Sequence, residues 1–458
     1  MFLRILKWLG IGVAGLFGLV VLAYGVLVVI NWSDEPPSET YLAFKAELDE
    51  VGPVDHPDNG FVYFAGFDAP EGEDPVDLGR EWIEWSQLPF DQVTKVEEPS
   101  GKAFSDLYDH APIGELRSAC GQFDSECLDF LHGDPDALRS AIAKSDWVVE
   151  RYQELLGHSV WHELPPKTWL PMYGHRDWMF AGLLYRHQAW QLAREGAYQE
   201  ALEMLDQEAR LLRMMLEATT IDISARLVTH QLQGNLQWTN TVLRGADHSR
   251  RAAVPSTWLL PVSESERSRK RTYYMLIFLY LLAPLDSDNP GHEFWVERFS
   301  PLEQLWWRLK SPLVLPQAML NLQAEVFQRT DNAITQDYPD IPEALEATEA
   351  YVESLITDRF LFGLRNPLWL VSEDHRFSYV GFLPSPEVPD LEGARRVLIL
   401  AQQLRAEGVA PEEVPARLQT ADIRNPYTDE PFGWDAEAGE ITFNGLAGGD
   451  RGEFSLKY

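Results

Sequence analysis

From Trp8 to Ser33 the chain reads WLGIGVAGLFGLVVLAYGVLVVINWS, 26 residues without a charge. A bilayer core asks for about 20 apolar residues in helical form, because no water is present there to satisfy the backbone. The run predicts a membrane-spanning helix. It also requires everything after Ser33 to fold as a body beside the membrane. The same stretch contains GIGVAG at 10–15, followed by Asp34, which spells the glycine fingerprint of a dinucleotide-binding turn. A crossover helix in such a fold covers only one face of a sheet and carries polar residues on the other. This segment carries none, so the fingerprint is discounted.

A cleaved signal peptide has an apolar core of about 7–15 residues followed by a small-x-small site. Here the apolar run continues through VLVVIN to Trp32, which favours a retained anchor. Arg4 and Lys7 precede the span, and Asp34, Glu35 and Glu39 follow it. That bias places the N-terminus in the cytoplasm, so the expectation is a single-pass inner-membrane protein with a periplasmic body. Trp8 and Trp32 sit at the ends, where amphipathic rings favour the headgroup level. Gly10, Ala14 and Gly18 recur every four residues, a spacing that permits two helices to approach but is also common in solitary anchors.

The residues after Ser33 hold all 71 acids and 36 of the 38 bases, a formal charge of −35. Phosphate binding needs a basic surface, so nucleic acid is excluded as an expected partner. Only nine of the 38 bases are lysine. The acidity suits a compartment open to external salt, where self-repulsion is screened, and biased genome composition accounts for it equally well. With 45% hydrophobic residues and 16 Trp, the chain has ample material for a core.

The two cysteines, Cys120 and Cys127, lie in ACGQFDSEC. Seven positions along a straight helix would separate their Cα atoms by about 10 Å, too far to bridge. A disulfide, expected in an oxidising compartment, therefore needs a turn, which Gly121 and Asp124-Ser125 supply.

Apolar spacing of three and four predicts helices in WVVERYQELL and in YRHQAWQLAREGAYQEALEMLDQEARLLRMMLEAT. Within the latter, Gly196, Tyr198, Ala201 and Leu205 match the turn and second helix of a tetratricopeptide pair. No second copy follows at a 34-residue period, so one helical hairpin is expected. Ser263 and Glu266 form a capping box before a third helical block that runs into the apolar TYYMLIFLYLLAPL, expected to be a core helix in preference to a membrane-touching segment with RSRKR on the headgroups. A further helix is expected through LEGARRVLILAQQLRAEG, and aromatic and β-branched residues around Gly439 predict a hairpin. The fold class expected is mainly α, a transmembrane helix followed by a body of helical hairpins with a small C-terminal β-hairpin. The expected divisions are an anchor over 1–33, a Pro- and acid-rich tether over 34–60, helical regions over 61–255 and 256–420, and a tail over 421–458.

Chemical motifs are sparse. The chain has no G-x-S-x-G, P-loop, H-E-x-x-H or C-x-x-C. The nearest metal-like constellation is HSVWHE, where His158 and His162 at i, i+4 would share a helix face beside Glu163, with His175 and Asp177 downstream. A zinc site needs a third ligand, and Pro165 and Pro166 place the pair at a helix end where histidines cap or pack. No metal and no cofactor are expected.

The stretches NGFVYFAGFDAPEGEDPVDLGRE, the Cys120/Cys127 pair followed by LDFL, and RNPYTDEPFGWD together resemble a group of uncharacterised proteobacterial single-pass membrane proteins. The resemblance implies the same topology and carries over no catalytic residue. Two functions remain: a non-catalytic envelope interaction or assembly factor with a protein partner, and an envelope-acting hydrolase using carboxylates with His158 and His162. The first is preferred, because nucleophile, base and oxyanion donors cannot be assembled from the sequence.

Overall fold

The computed structural model describes residues 2–49, 52–88, 90–93, 95–99, 113–120, 127, 130–131, 133, 139–140, 142–166, 175–246, 253–270, 272, 300–313, 315–357 and 386–458. The elements used below are α1 (Phe2–Ile30), α2 (Glu39–Asp49), α3 (Gly60–Ala65), α4 (Pro75–Ser86), α5 (Asp146–Leu156), α6 (His175–Arg194), α7 (Tyr198–Ala218), α8 (Asp222–Gly245), α9 (Pro301–Lys310), α10 (Pro316–Ile334), α11 (Ile341–Thr357) and α12 (Glu387–Ala406), with strands β1 (Gly433–Asp435), β2 (Glu440–Asn444) and β3 (Glu453–Lys457). The chain is mainly helical, with an N-terminal apolar helix and a C-terminal antiparallel sheet. The apolar stretch 273–285 and the Pro-rich loop after Asn366 lie outside the described residues.

α1 is long and apolar enough to cross a membrane, and the most apolar window within its Lys7–Ile30 part contains no buried residue. Gly10 and Gly18 face open space, and Trp8 and Trp32 are exposed at the two ends. Beyond α1 the chain is fastened at once. The Asp34 carboxylate accepts from the backbone N–H groups of Gln317 at 2.7 Å and Ala318 at 3.0 Å, capping α10 from 283 residues away. Pro316, which has no N–H to satisfy, opens that helix. Asn321 then donates to the Pro36 carbonyl and accepts from the Ser38 N–H. α2 packs on α10, with Phe44 buried against Leu320, Ala324 and Phe327. The segment expected to be a tether therefore carries specific contacts to the body over residues 34–44.

The main core is built on α6, α7 and α8. Gly196 takes φ +89°, a left-handed conformation that ends the α6 hydrogen-bond ladder and lets α7 return along α6. Three residues, Thr219–Ile221, reverse the chain again into α8. Such short links force sequential helices to lie antiparallel. Their inner faces carry Trp178, Ala181, Leu184 and Tyr185 from α6, Leu205, Ala209 and Leu212 from α7, and Val228, Leu232, Leu236 and Trp238 from α8, all buried. The expected single hairpin is thus part of a three-helix layer. α5 adds to the α6 side and α12 to the α8 side. At the N-terminal end α3 and α4 pack closely, because a Cβ on Gly79 would overlap the Val62 carbonyl oxygen. The capping box is present: Ser263 Oγ accepts from the Glu266 N–H while the Glu266 carboxylate accepts from the Ser263 N–H.

The C-terminal sheet has the order β1-β2-β3, all antiparallel. The β1–β2 turn places Gly439 at φ +65°, as a tight hairpin needs. β3 was not foreseen. Its alternation, with Phe454 and Leu456 buried and Ser455 partly exposed, matches Ile441 and Phe443 on β2, and this apolar face seats on α12. Gly393 on α12 leaves the space that the Phe443 ring fills. The sheet is pinned by Asp390, whose buried carboxylate accepts from Leu446 N–H at 2.8 Å, Ala447 N–H at 2.9 Å and Tyr427 Oη at 2.7 Å. Burial, partly offset by those bonds, pushes its pKa up to about 6. Asp390→Ala would strand three buried donors and is expected to cost about 3 kcal/mol. Hydrogen exchange would read this as roughly 100-fold faster exchange over residues 440–457, with α6–α8 unaffected.

Candidate functional site

The HSVWHE constellation does not form the helical pair expected of it. Gly157 ends α5, and the chain from His158 onward is extended, with Val160 bridged to Asn59. His158 and His162 therefore share no helix face. The His158 ring lies against Tyr63, and His162 Nδ1 sits 3.1 Å from the Pro53 carbonyl. His175 Nε2 lies 3.0 Å from Ser224 Oγ, and Asp177 occupies the first turn of α6. Among the described residues no three His, Cys, Asp or Glu side chains converge as a metal site would require.

Cys120 and Cys127 are joined, their sulfurs 2.08 Å apart and their Cα atoms 4.5 Å apart. The residues expected to make the turn, 121–126, lie outside the described residues. Cys120 closes the helix Ile113–Ala119 and lines one wall of a cleft of about 740 Å³. The other walls come from four separate parts of the chain: Arg176 to Arg186 of α6, Leu227 to Trp238 of α8, Glu387 at the start of α12, and Arg451 to Phe454 leading into β3. Two walls thus depend on features distant in sequence, the disulfide and the unforeseen third strand.

Beneath the cleft lies a buried polar network. Arg186 on α6 is almost fully buried and pairs with Glu208 on α7 at 3.3 Å. Its Nε donates to the Gly182 carbonyl at 3.0 Å, and Nη2 donates to Gln231 on α8. Glu208 also accepts from Tyr152 Oη at 2.8 Å and from Asn235 Nδ2 at 2.8 Å, and Asn235 in turn accepts from Trp258 Nε1 at 2.9 Å. Burial pushes the Glu208 carboxyl up, against the opposing pull of Arg186. Room for the guanidinium exists only because residue 234 is glycine; a Cβ there would overlap Nη1.

The cleft is lined by arginines in an otherwise acidic chain, with Arg186 neutralised by Glu208 and Arg451 by Glu387. Among its described lining residues, Arg117, Arg176, Arg186 and Arg451 outnumber Glu387 and Glu453, and His230, Gln231, Gln233 and Gln237 add polar groups. Arg451 pairs with Glu387 at 2.8 Å. Trp238 and Phe454 supply apolar surface. Convergent guanidinium and amide donors on a part-apolar concave surface suit a carboxylate or another oxyanion. Sequence reasoning missed all of these residues. The one legible signal was an arginine and a glutamate inside the apolar stripes of α6 and α7, at Arg186 and Glu208.

Comparison with known proteins finds no matching family model, no matching curated protein and no matching solved structure.

Another buried acid, Glu163, is set apart from the cleft. It accepts from Thr220 Oγ1 at 3.3 Å and Trp161 Nε1 at 3.4 Å, and burial raises its pKa from 4.5 to about 7. The folded state favours its protonated form. Its contribution to stability is therefore fully present below about pH 4.5 and lost as pH rises through about 7. Glu163→Gln, which cannot ionise, should fall level with or below the native chain at pH 4.5 and exceed it at pH 8. Thermal melts across that range check the crossover.

Proposed function

We propose that this chain is a membrane-anchored, non-catalytic binding protein of the bacterial envelope. In this reading α1 spans the inner membrane with its N-terminus in the cytoplasm, and the helical body stands in the periplasm. There the arginine cleft captures a carboxylate-bearing segment of a protein partner. The placement of Arg4 and Lys7 before the span, with Asp34, Glu35 and Glu39 after it, supports the topology. The single observation that carries the function is the cleft: four arginines line a concave surface in a chain of formal charge −33, two of them, Arg186 and Arg451, paired with Glu208 and Glu387. The surrounding acidity would repel a polyanion at long range, so the site suits a short acidic segment presented at close quarters.

The chemistry of the lining favours binding over turnover. Thr229, the hydroxyl in the wall, donates to the Ala225 carbonyl, Cys120 is tied to Cys127, and Glu387 is held by Arg451. A hydrolase would need a nucleophile beside a base, with donors aimed at a developing oxyanion. Anchoring raises the local concentration of the body toward any membrane-bound partner, so modest affinity suffices.

The test is calorimetric titration of the full chain in detergent with an acetylated triglutamate peptide. Binding is expected at low ionic strength, weakening as salt rises. Arg117→Gln combined with Arg176→Gln is expected to reduce affinity about tenfold, since each removes a charge-assisted contact. No binding, or binding that the double substitution leaves unchanged, would contradict the reading.

A further inference from the structure

α9 exposes Leu302, Leu305 and Leu309, which are 71%, 58% and 45% accessible. Their spacing of three and four places them along one side of a helix. Large aliphatic side chains left open in this way mark a surface that something covers. Two contacts show where that surface lies. The Tyr24 hydroxyl of α1 donates to the Leu309 carbonyl at 3.1 Å, and a few residues later Asp34 caps α10. The segment 309–318 is thus tied to α1 near its C-terminal end and again just beyond it.

Tyr24 precedes the end of α1 at Ile30 by six residues, a drop of about 9 Å along a helix axis. The C-terminal end of α9 therefore sits at the depth where interfacial helices bury their apolar faces, about 5–10 Å into the boundary between headgroups and acyl chains. Leu309, whose carbonyl the Tyr24 hydroxyl meets, brings the end of this leucine row to the apolar helix α1. Arg308 at the end of α9 is of the type that reaches back to phosphate level.

We propose that α9 is a membrane-surface helix, its Leu302, Leu305 and Leu309 face inserted into the leaflet from which α1 emerges. This rests on α1 spanning the bilayer. Together with the Asp34 cap it means that the body is held against the lipid surface in one orientation, not suspended from a free linker. Lipid is the occupant because the patch adjoins α1, and a soluble protein seated there would have to share the site with acyl chains.

The experiment is nitroxide accessibility in proteoliposomes of the full chain. Cys120 and Cys127 are joined, so a single introduced thiol takes the label. Labels are placed at Leu305→Cys, at Leu16→Cys in mid-span and at Glu412→Cys on the exposed surface of the body. The expectation is that the Leu305 label, like that at Leu16, relaxes more with oxygen than with a water-soluble nickel chelate, at a depth of about 5–10 Å below the phosphates. The Glu412 label should show the opposite preference. A Leu305 label open to the chelate while Leu16 is lipid-buried would overturn the surface helix and leave the anchor standing. Chelate access at Leu16 as well would overturn both. To exclude a protein occupant, the same pattern must persist in liposomes holding this chain alone.

Discussion

A guanidinium buried among three helices must be fully answered by hydrogen bonds and charge, or the fold that buries it will not form. Arg186 is answered by Glu208, Gln231 and the Gly182 carbonyl, and Glu208 by Tyr152 and Asn235. These groups come from α5, α6, α7 and α8, so the network fixes the mutual register of the helices that form the main core. A half-satisfied network of this kind is worse than an apolar core, which makes it selective for one packing. The same guanidinium contributes to the lining of the cleft. One residue thus links the internal pairing to the wall of the cleft.

Elsewhere arginine does for loops what Arg186 does for helices. Arg151 donates to the carbonyls of Phe67 and Pro70, Arg213 to those of Thr257, Leu260 and Pro261, and Arg267 to those of Ile334 and Gln336. Each bonds several loop or turn carbonyls at once. The planar fork reaches several acceptors at once, which a lysine ammonium does less well. This gives the scarcity of lysine a structural component beside its compositional one.

What could be read from the sequence was what is local. The charge-free run, the break at Gly196, the Ser263–Glu266 box and the turn at Gly439 each depend on residues within a few positions of one another. What could not be read was long-range. Asp34 looks like a tether acid until it is found capping a helix that begins at Pro316. β3 follows the Gly-rich LAGGDRG and has its apolar alternation completed only by β2 beside it. The cleft draws its walls from residues near 117, 180, 230 and 453, and no spacing rule relates them. HSVWHE misled for the opposite reason: its i, i+4 histidines suit a helix, but Gly157 ends the helix first.

The central claim is that the Arg186–Glu208 pair specifies the three-helix layer, and that each charge is tolerated only because the other is present. Denaturant unfolding of the full chain in detergent, followed by tryptophan fluorescence, tests it through one cycle of substitutions. Arg186→Met should cost about 3 kcal/mol or more by leaving a buried carboxylate alone, and adding Glu208→Gln should recover part of that loss. If Glu208→Gln instead deepens the loss by its own full single-substitution cost, the two residues act independently and the account is contradicted.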